Sequence, residues 1–264
     1  MRSLSLTLTY IFILAAGTSA PFAALLGYVW VDIFKPQELS YSLISNLPVS
    51  MIAAVLSLGM YFFADRKFVP KFTMVMFLII LLAIWVTMTT FLSELPINPW
   101  SNPWTKWNWV IKVLIFSIFM PYVFRSRVHM EAFLLVVIFS VGASTFSAGI
   151  KTLLGSGGYG SLALLYGLTN TGLGEASTLA TFCIMLIPLM DYMRNNSLIY
   201  KPGKYTNIMF FSMMVMAIIT VVGTDARTGL VAIFVLFARY VVYTKRKFAW
   251  ALVIIALAVA YVNI

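Results

Sequence analysis

Residues 206–243 read TNIMFFSMMVMAIITVVGTDARTGLVAIFVLFARYVVY. Two apolar runs, 206–223 and 228–243, flank the turn Gly223-Thr224-Asp225-Ala226-Arg227. A helix needs roughly 20 residues to cross the hydrocarbon core of a bilayer, so each run is expected to be a membrane crossing with the turn at one surface. The same reading places further crossings at 47–64, 72–92, 107–124, 129–150, 173–193 and 248–263. Composition agrees. The 264 residues are 62% hydrophobic and 10% charged, whereas soluble globules run about 45–50% and about 25%. The expected fold is all-α, a polytopic transmembrane helical bundle of about 9–10 membrane segments, forming one membrane-embedded domain over residues 1–264.

The first 33 residues are apolar as well. Thirty helical residues would extend ~45 Å, more than the ~30 Å core needs. Pro21 falls in the middle, preceded by Gly17, Thr18 and Ser19. The segment is either one kinked crossing or two short helices.

The turns between crossings differ in charge. Twelve of the 18 Lys and Arg lie in the alternate turns 65–71, 125–131, 194–205 and 239–247. Four lie on the other side: Lys35, Lys106, Lys151 and Arg227. Cytoplasmic loops collect positive charge, so the basic turns are expected inside and the cation-poor turns outside. The formal charge of +10 then needs no nucleic-acid partner. Trp100, Trp104, Trp107 and Trp109 fit an aromatic belt on the outer face. A single cysteine, Cys183, and a single histidine, His129, exclude an intramolecular disulfide framework and a Cys- or His-rich metal site. No metal and no cofactor is expected.

On a cation-poor face, a retained Lys or Arg points to a bound anion. Arg227 stands at the start of a helix, where backbone N–H groups, the positive end of the dipole and a bidentate fork can converge on a diphosphate. Its alternative is a membrane-edge ion pair with Asp225. Lys106 and Lys112 lie in WTKWNWVIK, residues 104–112. On a helix Lys112 would sit about 9 Å inward of Lys106, at a depth where ionisable groups are costly and usually functional. Its alternative is to snorkel back past Trp109. Lys151 opens a glycine-rich turn, Gly155-Ser156-Gly157-Gly158-Tyr159-Gly160, that lacks the Walker spacing. Glu175, at the start of the 173–193 crossing, is the candidate base, or else a residue favoured by the helix dipole. His129 reads as a polar cap residue. Met213, Met214 and Met216 read as packing residues, without the partners a copper site needs.

The order of these stretches resembles the bacterial O-antigen ligase and polymerase superfamily, and most nearly the exosortase-A-associated O-glycosylation ligases. The Trp-Lys-Trp stretch at 104–112, Ala148-Gly149-Ile150-Lys151 with Gly157-Gly158, the Leu179 to Leu189 run and Ala226-Arg227-Thr228-Gly229-Leu230 carry the resemblance. Two stretches depart from the family pattern. Glu175-Ala176-Ser177 stands where an acidic residue followed by Asn-Asn is usual, and Ala226-Arg227-Thr228 stands in place of Ser-Arg-Gly.

The resemblance implies transfer of a glycan from an undecaprenyl-diphosphate carrier to an acceptor on the periplasmic face of the bacterial inner membrane. Arg227, Lys151, Lys112 and Lys106 would hold the diphosphate, and Glu175 would serve as base. Family members continue into a large periplasmic loop with a proposed catalytic His. The chain is therefore expected to be the N-terminal part of a longer fold, inactive or nearly so by itself. A non-catalytic subunit of a polysaccharide assembly or export system is the alternative, together with a polymerase or flippase.

Overall fold

The computed structural model describes residues 2–40, 43–63, 70–93, 102–156 and 176–243. Every regular element among the described residues is helical: α1 (Arg2–Gly17), α2 (Pro21–Phe34), α3 (Pro36–Leu39), a 3₁₀ turn (Leu43–Asn46), α4 (Val49–Phe63), α5 (Met74–Phe91), α6 (Pro103–Val123), α7 (Arg127–Lys151) running into a π turn (Thr152–Ser156), α8 (Ala176–Asn196), α9 (Lys204–Gly223) and α10 (Arg227–Tyr243). Four of these helical stretches are long and apolar enough to cross a membrane: Met74–Phe91, Arg127–Leu154, Ala176–Asn196 and Lys204–Gly223. The chain is an all-α helical membrane protein. The crossing expected at 248–263 lies outside the described residues.

The N-terminal segment is two helices. Thr18 and Ser19 turn their hydroxyls back to the carbonyls of Ala15 and Ala16, at 2.7 and 2.6 Å, and so close α1. Pro21 then occupies the first position of α2, where its missing N–H costs nothing. The helices run antiparallel, because Gly17 meets Ala24 while Gly27 meets Ile13. A methyl added at Gly17 would lie 3.1 Å from the Cα of Ala24, and one at Gly27 would lie 2.6 Å from the Ile13 side chain. Glycine at both positions lets the two backbones approach closely, as small residues do between membrane helices.

The chain divides into two compact units. The unit of Thr9–Tyr28 and Ser50–Met130 contains the tip of the hairpin, α4, α5 and α6. Thr73 caps α5 through the Met76 N–H, and Asn102 caps α6 through the Trp104 N–H at 3.0 Å. With Pro103 at the first helical position, α6 begins before residue 107, and Lys106 belongs to the helix. The indole N–H of Trp107 donates to the Thr87 hydroxyl at 3.0 Å and joins α6 to α5. Phe22 stacks on His129 with ring centroids 3.9 Å apart, and Tyr28 stacks on Phe116 at the same separation. His129 acts in the turn itself: its Nδ1 accepts from the Arg125 N–H, and its own N–H donates to Ser126 Oγ.

The other unit comprises Met1–Leu8, Val29–Val49 and Glu131–Ile264. Its core is built on α8. Leu179, Ala180, Cys183, Ile184, Leu186, Ile187, Met190 and Met193 recur at helical spacing and are all buried. Leu135, Ile138 and Val141 of α7 and Phe210, Ala217 and Val221 of α9 complete it. Gly142 faces Met213, and Gly149 faces Met216 and Thr220, so these methionines fill the spaces that the glycines open. The Thr220 hydroxyl donates to the Thr145 carbonyl at 2.7 Å and links α9 to α7. At the opposite end Glu131 is 2% exposed. Its Oε2 accepts from the Leu198 N–H at 2.7 Å and from the Ser197 hydroxyl at 3.2 Å, tying the start of α7 to the loop after α8.

Candidate functional site

The cation-poor end of the second unit gathers four helix ends. Thr152, just after Lys151, lies against Gly223 at the end of α9, which has no side chain to hold it off. Four residues on, Arg227 opens α10. Gly229, in the first turn of α10, touches Ala180 of α8 and Val221 of α9; a methyl added there would lie 2.8 Å from each. Ala180 is in the second turn of α8, so the start of that helix belongs to the same corner.

The link from α9 to α10 is shaped by two residues. Thr224 is buried; its hydroxyl donates to the Val221 carbonyl at 2.7 Å and accepts from the Ala226 N–H at 3.4 Å. Asp225 takes a left-handed conformation, φ 50°, which Asp tolerates better than most residues with a Cβ. The result is a reversal over very few residues that leaves Asp225 and Arg227 both exposed. Among the described residues they form no ion pair with each other. Arg227 is the first residue of α10, the turn in which the leading backbone N–H groups lack helical partners.

The structure brings the ends that carry Lys151 and Arg227 together, although 76 positions separate them. Lys151 is half-buried as the last residue of α7. Lys106 and Lys112 are exposed on α6 and belong to the other unit. Glu175 immediately precedes α8 but lies outside the described residues, as do Gly157 and Gly158.

Sequence reading missed a second polar group in the same unit as Arg227. Lys35 is 8% exposed and adopts φ 48°, and Asp32 one turn earlier interacts with it electrostatically. The signal was present: Asp32 interrupts the apolar stretch VWVDIFK at residues 29–35, three positions before a lysine.

Fold and site together define a helical membrane protein with a cationic corner built from four helix ends. The chain belongs to a family of unknown function (DUF5935), which matches residues 1–198. The match takes in α1 to α8 and both residues of the Glu131–Leu198 contact. Arg227 lies beyond it. No curated protein and no solved structure matches the chain.

Proposed function

We propose that the chain is a membrane glycan ligase-like protein of the bacterial inner membrane. In this reading it binds an undecaprenyl-diphosphate-linked glycan at its cation-poor end, facing the periplasm, for transfer to an acceptor. The observation that supports this is the contact of Thr152 with Gly223, which joins the helix ends bearing Lys151 and Arg227. Two cations beside a helix N-terminus suit a diphosphate, and they would stabilise it further as the glycan leaves and its charge grows. Lys106 and Lys112, which the sequence also offers as donor ligands, stand on α6 of the other unit, and Glu175 is the candidate base offered by the sequence.

The test is binding of a polyprenyl-diphosphate-linked sugar to the protein in nanodiscs. A charge-assisted hydrogen bond contributes about 1.5–3 kcal/mol, so Arg227→Ala is expected to weaken binding roughly ten- to a hundredfold. Arg227→Lys should recover only part, since an ammonium has no planar fork. Asp225→Ala should leave affinity unchanged. Equal affinities in the wild type, Arg227→Ala and Arg227→Lys would refute the donor site.

A further inference from the structure

The loop after α8 reads LIYKPGKY into the start of α9, residues 198–205, and mixes apolar with basic side chains. It joins two helices long enough to cross the hydrocarbon core, so it lies at the membrane surface. It belongs to the turn 194–205, one of the four basic turns that the charge pattern assigns to the cytoplasmic side. Its backbone is tied down. The Leu198 N–H donates to Glu131 Oε2 at 2.7 Å, and the N–H groups of Ile199 and Tyr200 donate to the Ser197 hydroxyl oxygen at 3.1 and 3.2 Å. That hydroxyl itself donates to Glu131. On the far side the Thr206 hydroxyl donates to the Lys201 carbonyl at 3.1 Å. The Tyr200 ring stands edge-on to the buried Phe210, with centroids 6.4 Å apart. The side chains of this fixed loop nonetheless lie open. Leu198 is 60% exposed and Tyr205 88%, and Ile199, Lys201, Lys204 and Ile208 are exposed beside them.

We propose that residues 198–205 form an interfacial anchor that binds the anionic phospholipid headgroups of the surrounding leaflet. The side chains suit that occupant in two ways. Leu198, Ile199 and Ile208 match the boundary between headgroups and acyl chains, where Tyr200 and Tyr205 can keep their rings in the apolar layer and their hydroxyls in water. Lys201 and Lys204 can lay their stems along the same apolar surface and reach lipid phosphates with their ammonium groups. Arg194 is paired with Asp191 at 2.7 Å, so the two lysines carry the selection. Because α8 and α9 already hold the loop at the bilayer surface, lipid is the partner these side chains meet. Glu131 is the positioning residue: with Ser197 it fixes the backbone in advance, so little ordering entropy is lost on contact with lipid. The anchor sets the depth of α8, and α8 carries the core of the unit. This inference is independent of the donor reading, which concerns the other end of the same helices.

The test places an environment-sensitive fluorophore at position 199 through Ile199→Cys, in the full chain in nanodiscs. Cys183 is buried and should stay unlabelled, which the unsubstituted chain checks. The probes are a phosphatidylglycerol and a phosphatidylcholine, each brominated high on its acyl chain and present at equal mole fraction. The emission is expected at the wavelength of a lipid environment and quenched by both lipids. A lysine beside an anionic surface favours it roughly fivefold, so the phosphatidylglycerol should quench at least about twofold more strongly. Adding Lys201→Gln and Lys204→Gln should bring the quenching ratio to about one while the emission stays that of lipid. Both lysines are exposed, so an unchanged thermal melt is expected of that variant. Adding Glu131→Gln instead should shift the emission toward that of water, with both lysines still in place. Emission as in water, without quenching by either lipid, would overturn the anchor. A quenching ratio of one with both lysines present, or a ratio that their replacement does not move, would overturn the anionic selection.

Discussion

Helices α5 and α8 are similar in length, and both are apolar enough to cross a membrane, yet they are used in opposite ways. Among the described residues α5 buries one side chain, whereas α8 buries eight, from Leu179 to Met193. The more apolar helix is the bare one. Among the described residues of α5 only Met76 is buried, whereas α8 carries the core of its unit. A lipid-facing helix can be apolar all round, because hydrocarbon makes no distinction among its sides. A helix that meets other helices needs small, shaped and hydrogen-bonding residues. In this chain, hydropathy reports how well a segment suits lipid, and burial reports which segment holds the protein together.

Core truncation separates the two helices most sharply. Leu186 of α8 is 1% exposed and Leu81 of α5 is 50% exposed. Leu186→Ala is expected to cost about 2–5 kcal/mol, and Leu81→Ala within about 0.5 kcal/mol, measured by reversible unfolding in mixed micelles. Equal losses would mean that α5 is as packed as α8.

The helix starts give a smaller contrast. Glu131→Gln weakens the acceptor shared by Leu198 and Ser197, and a loss of about 1.5–3 kcal/mol is expected in the same assay. Thr73→Ala removes a single cap from α5, and its expected cost is ~1 kcal/mol. Protease cleavage near residue 198 should also accelerate in Glu131→Gln alone.

The smallest effect concerns glycine. A methyl at Gly149 would lie 3.0 Å from the Met216 carbonyl oxygen, while one at Gly59 meets nothing within 4 Å. Gly59→Ala should stabilise by up to about 1 kcal/mol through helix propensity. Gly149→Ala should forfeit that gain and destabilise, because backbone cannot move aside as a side chain can. Thermal melts of the two variants should therefore shift in opposite directions.

Much of this architecture was legible in the sequence, and the limits of that reading have physical causes. The run expected at 47–64 is Val49–Phe63, and the one at 206–223 is Lys204–Gly223. Apolar length was signal enough. The α6 start was set too late because capping by Asn102 and Pro103 reaches back beyond the apolar run. Pro21 could either kink a helix or begin one, and only the meeting of Gly17 with Ala24 decides between them. At the candidate site, Arg227 and Lys151 were each readable as cations on a cation-poor side. Their shared corner was not, because it depends on the absence of a side chain at Gly223, far along the chain from Thr152. Glu131 was hidden in the same way, its partners lying 66 and 67 residues away. Asp32 and Lys35 were local, but nothing in the spacing revealed that the lysine is buried.

The α1–α2 hairpin bears on how the chain enters its membrane. An antiparallel pair returns the chain to the side from which it started, so it contributes an even number of passages. The orientation of α4 and every later helix is then fixed by the basic turns that follow, whether or not the hairpin is there. Deleting both helices should preserve the sidedness of residue 67. Deleting only one should put the remaining helix and the basic turns in conflict over parity, and a mixed-orientation population should result.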